Sequence, residues 1–242
     1  MKPKLFVTSI SLLALLFCSA QNHDKKAMTI NNSGKSKLEK NHVIQLKKGE
    51  LFLVLLGNQM AGKEALLQEY FKTVFPPAQK NGLATLGQLP IEKVAVGDFI
   101  PNGIVGLFKW PNMESIQAFL KEISQEELTK LRLKIWNELK QHMIVTQVDR
   151  TLIFKENKIY EIKVLWNEHK VSSGMIKKHG GTVLINSLVA GYEDLGKNNP
   201  PKSLLIIEWD TTQKADAFRK MNFIKSKKEE SFYTHFSFPE KG

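Results

Sequence analysis

One cysteine, Cys18, is all the thiol chemistry that 242 residues carry. From residue 19 onward the chain can build neither a disulfide nor a thiolate metal site. After residue 17 no apolar run approaches the roughly 20 residues that a membrane-crossing helix needs. The histidines His23, His42, His142, His169, His179 and His235 are scattered, without H-x-x-x-H or H-E-x-x-H spacing, so no metal site is expected. G-x-S-x-G is missing too, and no serine nucleophile is marked. No cofactor motif stands out. Acid is in deficit, with 24 Asp+Glu against 35 Lys+Arg. The lysines mix with glutamates instead of forming a stripe, which argues against a nucleic-acid partner. Only 35–48 is locally dense, with Lys35, Lys37, Lys40, Lys47 and Lys48, and it reads as a solvated linker.

What is present begins with an address. Met1-Lys2-Pro3-Lys4 is basic, 5–17 is almost wholly apolar, and Cys18-Ser19-Ala20 are small. That order is a secretory signal over 1–20, cleaved after Ala20. The expected destination is the periplasm or the outside. Cys18 permits a rival, a lipoprotein signal in which the acylated cysteine tethers the protein to a membrane. Phe17 before the cysteine counts against it, because that signal wants a small residue there. Residues 21–48 read as a flexible leader. The remaining length suffices for a core that holds without disulfides.

An internal duplication organises the rest. Gly82-Leu83, Phe108-Lys109-Trp110 and Ala118-Phe119 recur as Gly181-Thr182, Ile207-Glu208-Trp209 and Ala217-Phe218, each 99 residues later without a gap. Upstream, 51–58 resembles 159–166 at an offset of 108. The expected units are 49–157 and a shortened 158–242.

Each unit reads βαββαβ. In the first, 51–56 is an apolar strand. Leu66, Leu67, Tyr70, Phe71 and Val74 give helical spacing over 63–80. Gly82 ends that helix. Strands follow over 83–96, which Pro90 could interrupt, and 104–110. A helix opens at Pro111 and its spacing continues through Leu131, Ile135 and Leu139. The last strand is 142–154. The second unit has strands over 158–166, 182–190, 203–209 and 232–238, with helices within 168–179 and 211–222. A βαββαβ unit folds as a ferredoxin-like sheet with both helices on one face, and two copies can cover each other's open faces.

The strings Asn81-Gly82, Phe108-Lys109-Trp110 and Ala118-Phe119, with His179-Gly180-Gly181, Ile206-Ile207-Glu208-Trp209 and Ala217-Phe218, resemble the dimeric α/β-barrel superfamily. The nearest likeness is to its small members of unknown function, and it covers roughly 50–238. The resemblance implies an α+β fold of two tandem ferredoxin-like units packed as a pseudo-dimeric barrel. The superfamily includes cofactor-free monooxygenases, haem-degrading enzymes, isomerases and proteins without known activity, so it implies a fold more than a function.

Two constellations carry possible chemistry. Gly57–Glu64 matches G-x-x-x-x-G-K, but Glu64 stands where a phosphate loop needs Ser or Thr. It reads as a strand-to-helix turn. In the second unit, alternation sets Tyr160, Ile162, Val164 and Trp166 against Glu161 and Lys163. The apolar set is expected to pack on the helices, with Glu161 and Lys163 facing the opposite sheet. Glu208, Tyr233 and His235 could join them, with Lys109 reaching over from the first unit. Glu161, Glu208 and His235 are the catalytic candidates, and Lys109, Lys163 and Tyr233 the ligand-binding ones. A structural ion-pair network is the competing reading. The expected function is an exported small-ligand- or protein-binding module, and the alternative is a cofactor-independent enzyme acting on a small apolar substrate.

Overall fold

Period-two burial builds the first strand out of residues expected to be leader. His42, Ile44 and Leu46 point inward while Asn41, Val43 and Gln45 point out, over β1 (Asn41–Leu46). The computed structural model describes residues 40–102, 104–167, 172–195, 197, 199–221 and 228–237. The signal segment 1–20 with Cys18, residues 21–39, His169 and Phe238 lie outside the described residues. No described helix is long and apolar enough to cross a membrane.

Then come β2 (Leu51–Gln59), α1 (Glu64–Lys80), β3 (Ala84–Val96), β4 (Ile104–Trp110), α2 (Met113–Glu122), α3 (Gln125–Leu133) and β5 (Trp136–Val145). β6 (Arg150–Lys155) returns to pair with β1. The expected single strand 142–154 is therefore two strands. The helix expected to run through Leu139 stops at Leu133, and Leu139 lies on β5. The second half holds β7 (Ile159–Leu165), α4 (Ser173–Lys178), β8 (Gly181–Leu188), β9 (Gly191–Asp194), β10 (Ser203–Trp209), α5 (Thr212–Lys220) and β11 (Glu229–His235).

The architecture is α+β. One antiparallel sheet of nine strands runs β8-β10-β7-β11-β3-β4-β2-β5-β9. Within it, β5-β2-β4-β3 and β11-β7-β10-β8 show the same order, that of a ferredoxin-like βαββαβ unit. β3 joins the halves by pairing with β4 along its first part and with β11 along its second. The strand that continues β8 does the same on the other side, since β9 pairs with β5. β8 and β9 are the two ends of the sheet, and only Val189-Ala190 separate them, so the chain closes the sheet into a barrel. This is the arrangement of a dimeric α/β-barrel fold.

Corresponding details recur in the two halves. Asn112 and Thr211 cap α2 and α5 by accepting from Ser115 N and Lys214 N. Trp110 meets Phe119 at 5.5 Å, and Trp209 meets Phe218 at 5.3 Å, at nearly equal tilts. The gapless alignment needs one adjustment. Gly82 leaves α1 at φ +94°, and its counterpart after α4 is Gly180 at φ +85°, one residue before Gly181. The loop between second and third strands absorbs the difference.

Three apolar layers result. The barrel interior contains Phe52, Val54, Leu107, Ile162, Leu204 and Phe232, and is plugged from one end by Ile44, Leu46, Leu152 and Phe154 of the β1–β6 hairpin. Leu67, Tyr70, Val74, Phe119 and Leu128 of α1–α3 pack on the outer face of the first half. Ile176, Ala215 and Phe218 of α4 and α5 pack on the second.

Candidate functional site

The first half's helix layer does not close completely. α1 contributes 17 residues against the 6 of α4, and carries Tyr70, Phe71 and Phe75. Between α1, α2, α3 and the outer faces of β2, β4, β5 and β9 lies a cleft of about 380 Å³. That is within the range that small-molecule sites occupy. Phe71, Phe75, Phe108, Trp110 and Phe119 supply aromatic wall. Phe71 and Phe75 stack obliquely at 5.1 Å, and Phe75 reaches Phe108 at 6.2 Å.

One end of the cleft is polar. Arg132 of α3, 7% exposed, donates from Nε to the Tyr70 hydroxyl at 3.0 Å. Its Nη1 donates to both carboxylate oxygens of Glu193 at 2.6 Å. The Gln141 amide donates to Glu193 Oε2 at 2.8 Å. Burial would lower the Arg132 pKa, but Tyr70 and Glu193 outweigh it and the value rises. The guanidinium is thus permanently charged and already neutralised by Glu193. Tyr70 accepts from Arg132, which leaves its own hydroxyl proton for a guest. An apolar slot with a neutral, hydrogen-bonding end can hold a flat aromatic molecule by a carbonyl or hydroxyl oxygen. Among the described residues no three His, Cys, Asp or Glu side chains are grouped to hold a metal.

None of these polar residues was singled out from sequence. Arg132 sits four residues after Leu128, on an apolar helical stripe, and that misplaced charge was the available signal. Glu193 lies on β9, a strand of four residues with too few positions to show a period.

The six sequence-picked residues do not converge. Tyr160, Ile162 and Val164 face the barrel interior, and Glu161 and Lys163 lie beneath the helices, the reverse of the expected orientation. Lys163 Nζ bridges Glu161 at 3.2 Å and Glu229 at 2.9 Å. Glu161 also accepts from Trp209 Nε1 at 3.0 Å and Ser231 Oγ at 2.7 Å. Each of these buried side chains is hydrogen-bonded or ion-paired within the cluster, as in a structural network. Glu208 is on the other face of the sheet, paired with Lys155 at 2.9 Å. Tyr233 donates to Asp216 at 2.9 Å. His235 meets Glu92 of β3 at 3.1 Å, nearly half exposed. Lys109 pairs with Glu50 at 2.8 Å within the first half.

The G-x-x-x-x-G-K string is no cradle. Gly57–Gln59 are extended in β2, and Gln59 N and O are both taken by the Asn102 side chain. Only Gly62, at φ +73°, turns the chain into α1.

No family model and no curated protein matches the chain. Solved structures do resemble it. An anthrone oxidase-like protein superposes with TM-score 0.46 at 10% identity, covering 81% of this chain and 94% of its own. Chlorite dismutase from Candidatus Nitrospira defluvii gives 0.44 at 8% identity, covering 81% and 94%. Strand order, and not these distant likenesses, ties the chain to the barrel fold.

Proposed function

We propose that the chain is a tandem duplication in which the first half binds a small, flat, largely apolar molecule and the second half completes the barrel. The observation that carries this reading is the aromatic cleft ending in Tyr70, Arg132 and Glu193. The second half takes part by lending Glu193 on β9, which holds Arg132 in place. Because Arg132 is already neutralised, a neutral oxygen is preferred over a carboxylate at that end; an anionic guest would meet Glu193 as a like charge. Export through the 1–20 signal, with tethering at Cys18 as the rival, belongs to the same proposal.

The test uses 1-naphthol and 1-naphthoate in calorimetric titrations. Naphthol binds more tightly than naphthoate. Tyr70→Phe weakens naphthol about three- to tenfold, the worth of one neutral hydrogen bond. Equal binding of both compounds, or an unchanged affinity in a folded Tyr70→Phe protein, contradicts the assignment.

A second reading, oxygenation without a cofactor, is favoured by the Tyr70–Arg132 pair. The Tyr70 hydroxyl, polarised by the Arg132 donor on its oxygen, can hydrogen-bond a ketone oxygen as partial negative charge develops on it during enolisation. Anthrone is a suitable probe, since its oxidation by O₂ gives anthraquinone and one water. Oxygen uptake above the buffer rate, lost in Tyr70→Phe, supports turnover; uptake equal to buffer leaves binding alone.

A further inference from the structure

The barrel interior is apolar along most of its length and turns polar where β5, β9 and β11 meet. Lys140, Asp194 and Glu230 all point inward there, as alternation with Ile144, Phe232 and the cross-strand partners requires. They line a cavity of about 280 Å³, separate from the cleft under the helices. Consecutive residues of β9 serve the two places, since Glu193 faces the cleft and Asp194 the mouth.

The electrostatics of this mouth are unbalanced. Lys140 Nζ donates to Glu230 Oε1 at 2.6 Å and lies 4.0 Å over the Phe99 ring. Asp194 stands opposite Lys140 in register but makes no ion pair among the described residues. Its Oδ2 accepts from the Tyr192 hydroxyl at 3.1 Å. Its Oδ1, and Oε2 of Glu230, are buried acceptors with no partner among the described residues. Asp194 is 7% exposed and Glu230 4%. Lys140 is the one buried lysine beside these two buried carboxylates; the other lysines lining the cavity are engaged elsewhere, Lys197 with Glu138 at 3.1 Å and Lys228 over the Trp166 ring, and two acceptor oxygens are unused among the described residues. Orphaned buried acceptors and uncompensated charge are both costly, so such groups are normally satisfied by something.

We propose that the barrel mouth is a second binding site, and that its ligand is a small organic monocation: a primary ammonium on a short apolar stem. Three N–H donors supply Asp194 Oδ1 and Glu230 Oε2, and one positive charge restores neutrality. The aromatic walls suit the same group. Phe99 already faces the Lys140 ammonium, and the Trp166 ring faces that of Lys228 at 4.1 Å. A bare divalent ion is disfavoured because no three-ligand group exists among the described residues. The cavity is smaller than a drug-sized pocket, which runs from about 300 Å³ upward, and this limits the stem.

The experiment is a calorimetric titration of the full chain with n-butylammonium, with 1-butanol and butyrate as isosteric controls. The amine binds saturably at one site per chain and neither control does. Asp194→Asn keeps the shape, removes the charge and weakens the amine about tenfold or more, while 1-naphthol binding in the cleft is unchanged. Butanol binding as well as the amine, no saturable amine binding, or undiminished amine binding in a folded Asp194→Asn protein overturns the proposal. Should Asp194→Asn not fold, the comparison of amine with alcohol on the native chain decides alone.

Discussion

His142 lies wholly inside the barrel, next to Lys140 on the same strand face. Among the described residues the ring finds only a weak backbone contact, to Val54, and its nitrogens are otherwise unpartnered. Burial, reinforced by Lys140, pushes its pKa down to about 3. The unfolded chain takes up that proton near pH 6.5, so it binds more protons than the folded chain across the interval. Stability is complete above pH 6.5 and drains away as the pH falls toward 3. Between pH 7 and pH 5 this one residue costs about 2 kcal/mol. Guanidinium denaturation at the two values measures it, and His142→Leu should lose about that much less on acidification. His42, also lowered by burial, adds a smaller slope of the same sign. Asp216 acts elsewhere. Burial works to raise its pKa, but Arg219, Tyr233 and Lys93 hold it at about 2. Its contribution is present above about pH 4 and is lost only as pH falls from there toward 2. The inward-facing polar residues also explain one failure of sequence reading. Lys140 and His142 interrupt the apolar alternation of β5, and Leu131, Ile135 and Leu139 recur every four residues, so a helix was read where a strand forms.

At the scale of elements, punctuation decided what was legible. β4 was readable to its ends because Gly103 precedes it and Pro111 follows. Four of the second half's five strands were legible, β9 was not, and the face assignment of β7 was inverted. Six of its seven residues are buried, so hydrophobic alternation alone cannot say which layer each face meets. β1 escaped because six residues were absorbed into a lysine-rich leader. The stop of α1 was plain from Asn81-Gly82, and it gives a clean test. Gly82 has φ +94°, and a Cβ there would lie 2.6 Å from Pro111 Cγ. Gly49 has a similar φ of +90° with open space around it. Gly49→Ala should cost the backbone strain alone, about 1–3 kcal/mol. Gly82→Ala should cost measurably more, because the chain entering α2 must also move. Equal losses of melting temperature would show that the glycine–proline contact is relaxed without penalty.

At the scale of the molecule, the halves are joined along β3–β11 and β5–β9, and the seams shape both sites. β9 closes the sheet while presenting Glu193 to the cleft and Asp194 to the mouth. The βαββαβ pattern read in each half made the sheet order legible. It could not reveal which half keeps a cavity, because that depends on helix length and on side chains from a strand of four residues. The polar cluster expected in the second half is satisfied internally by Lys163, Glu161, Trp209 and Ser231. The cleft belongs to the half with the longer helix. The most direct measurement is the stoichiometry of 1-naphthol binding to the native chain and to Val74→Phe, which fills the cleft from α1. One site per chain, absent from a folded Val74→Phe protein, is the predicted result. Undiminished binding in that variant, or two equal sites per chain, would contradict a single cleft in the first half.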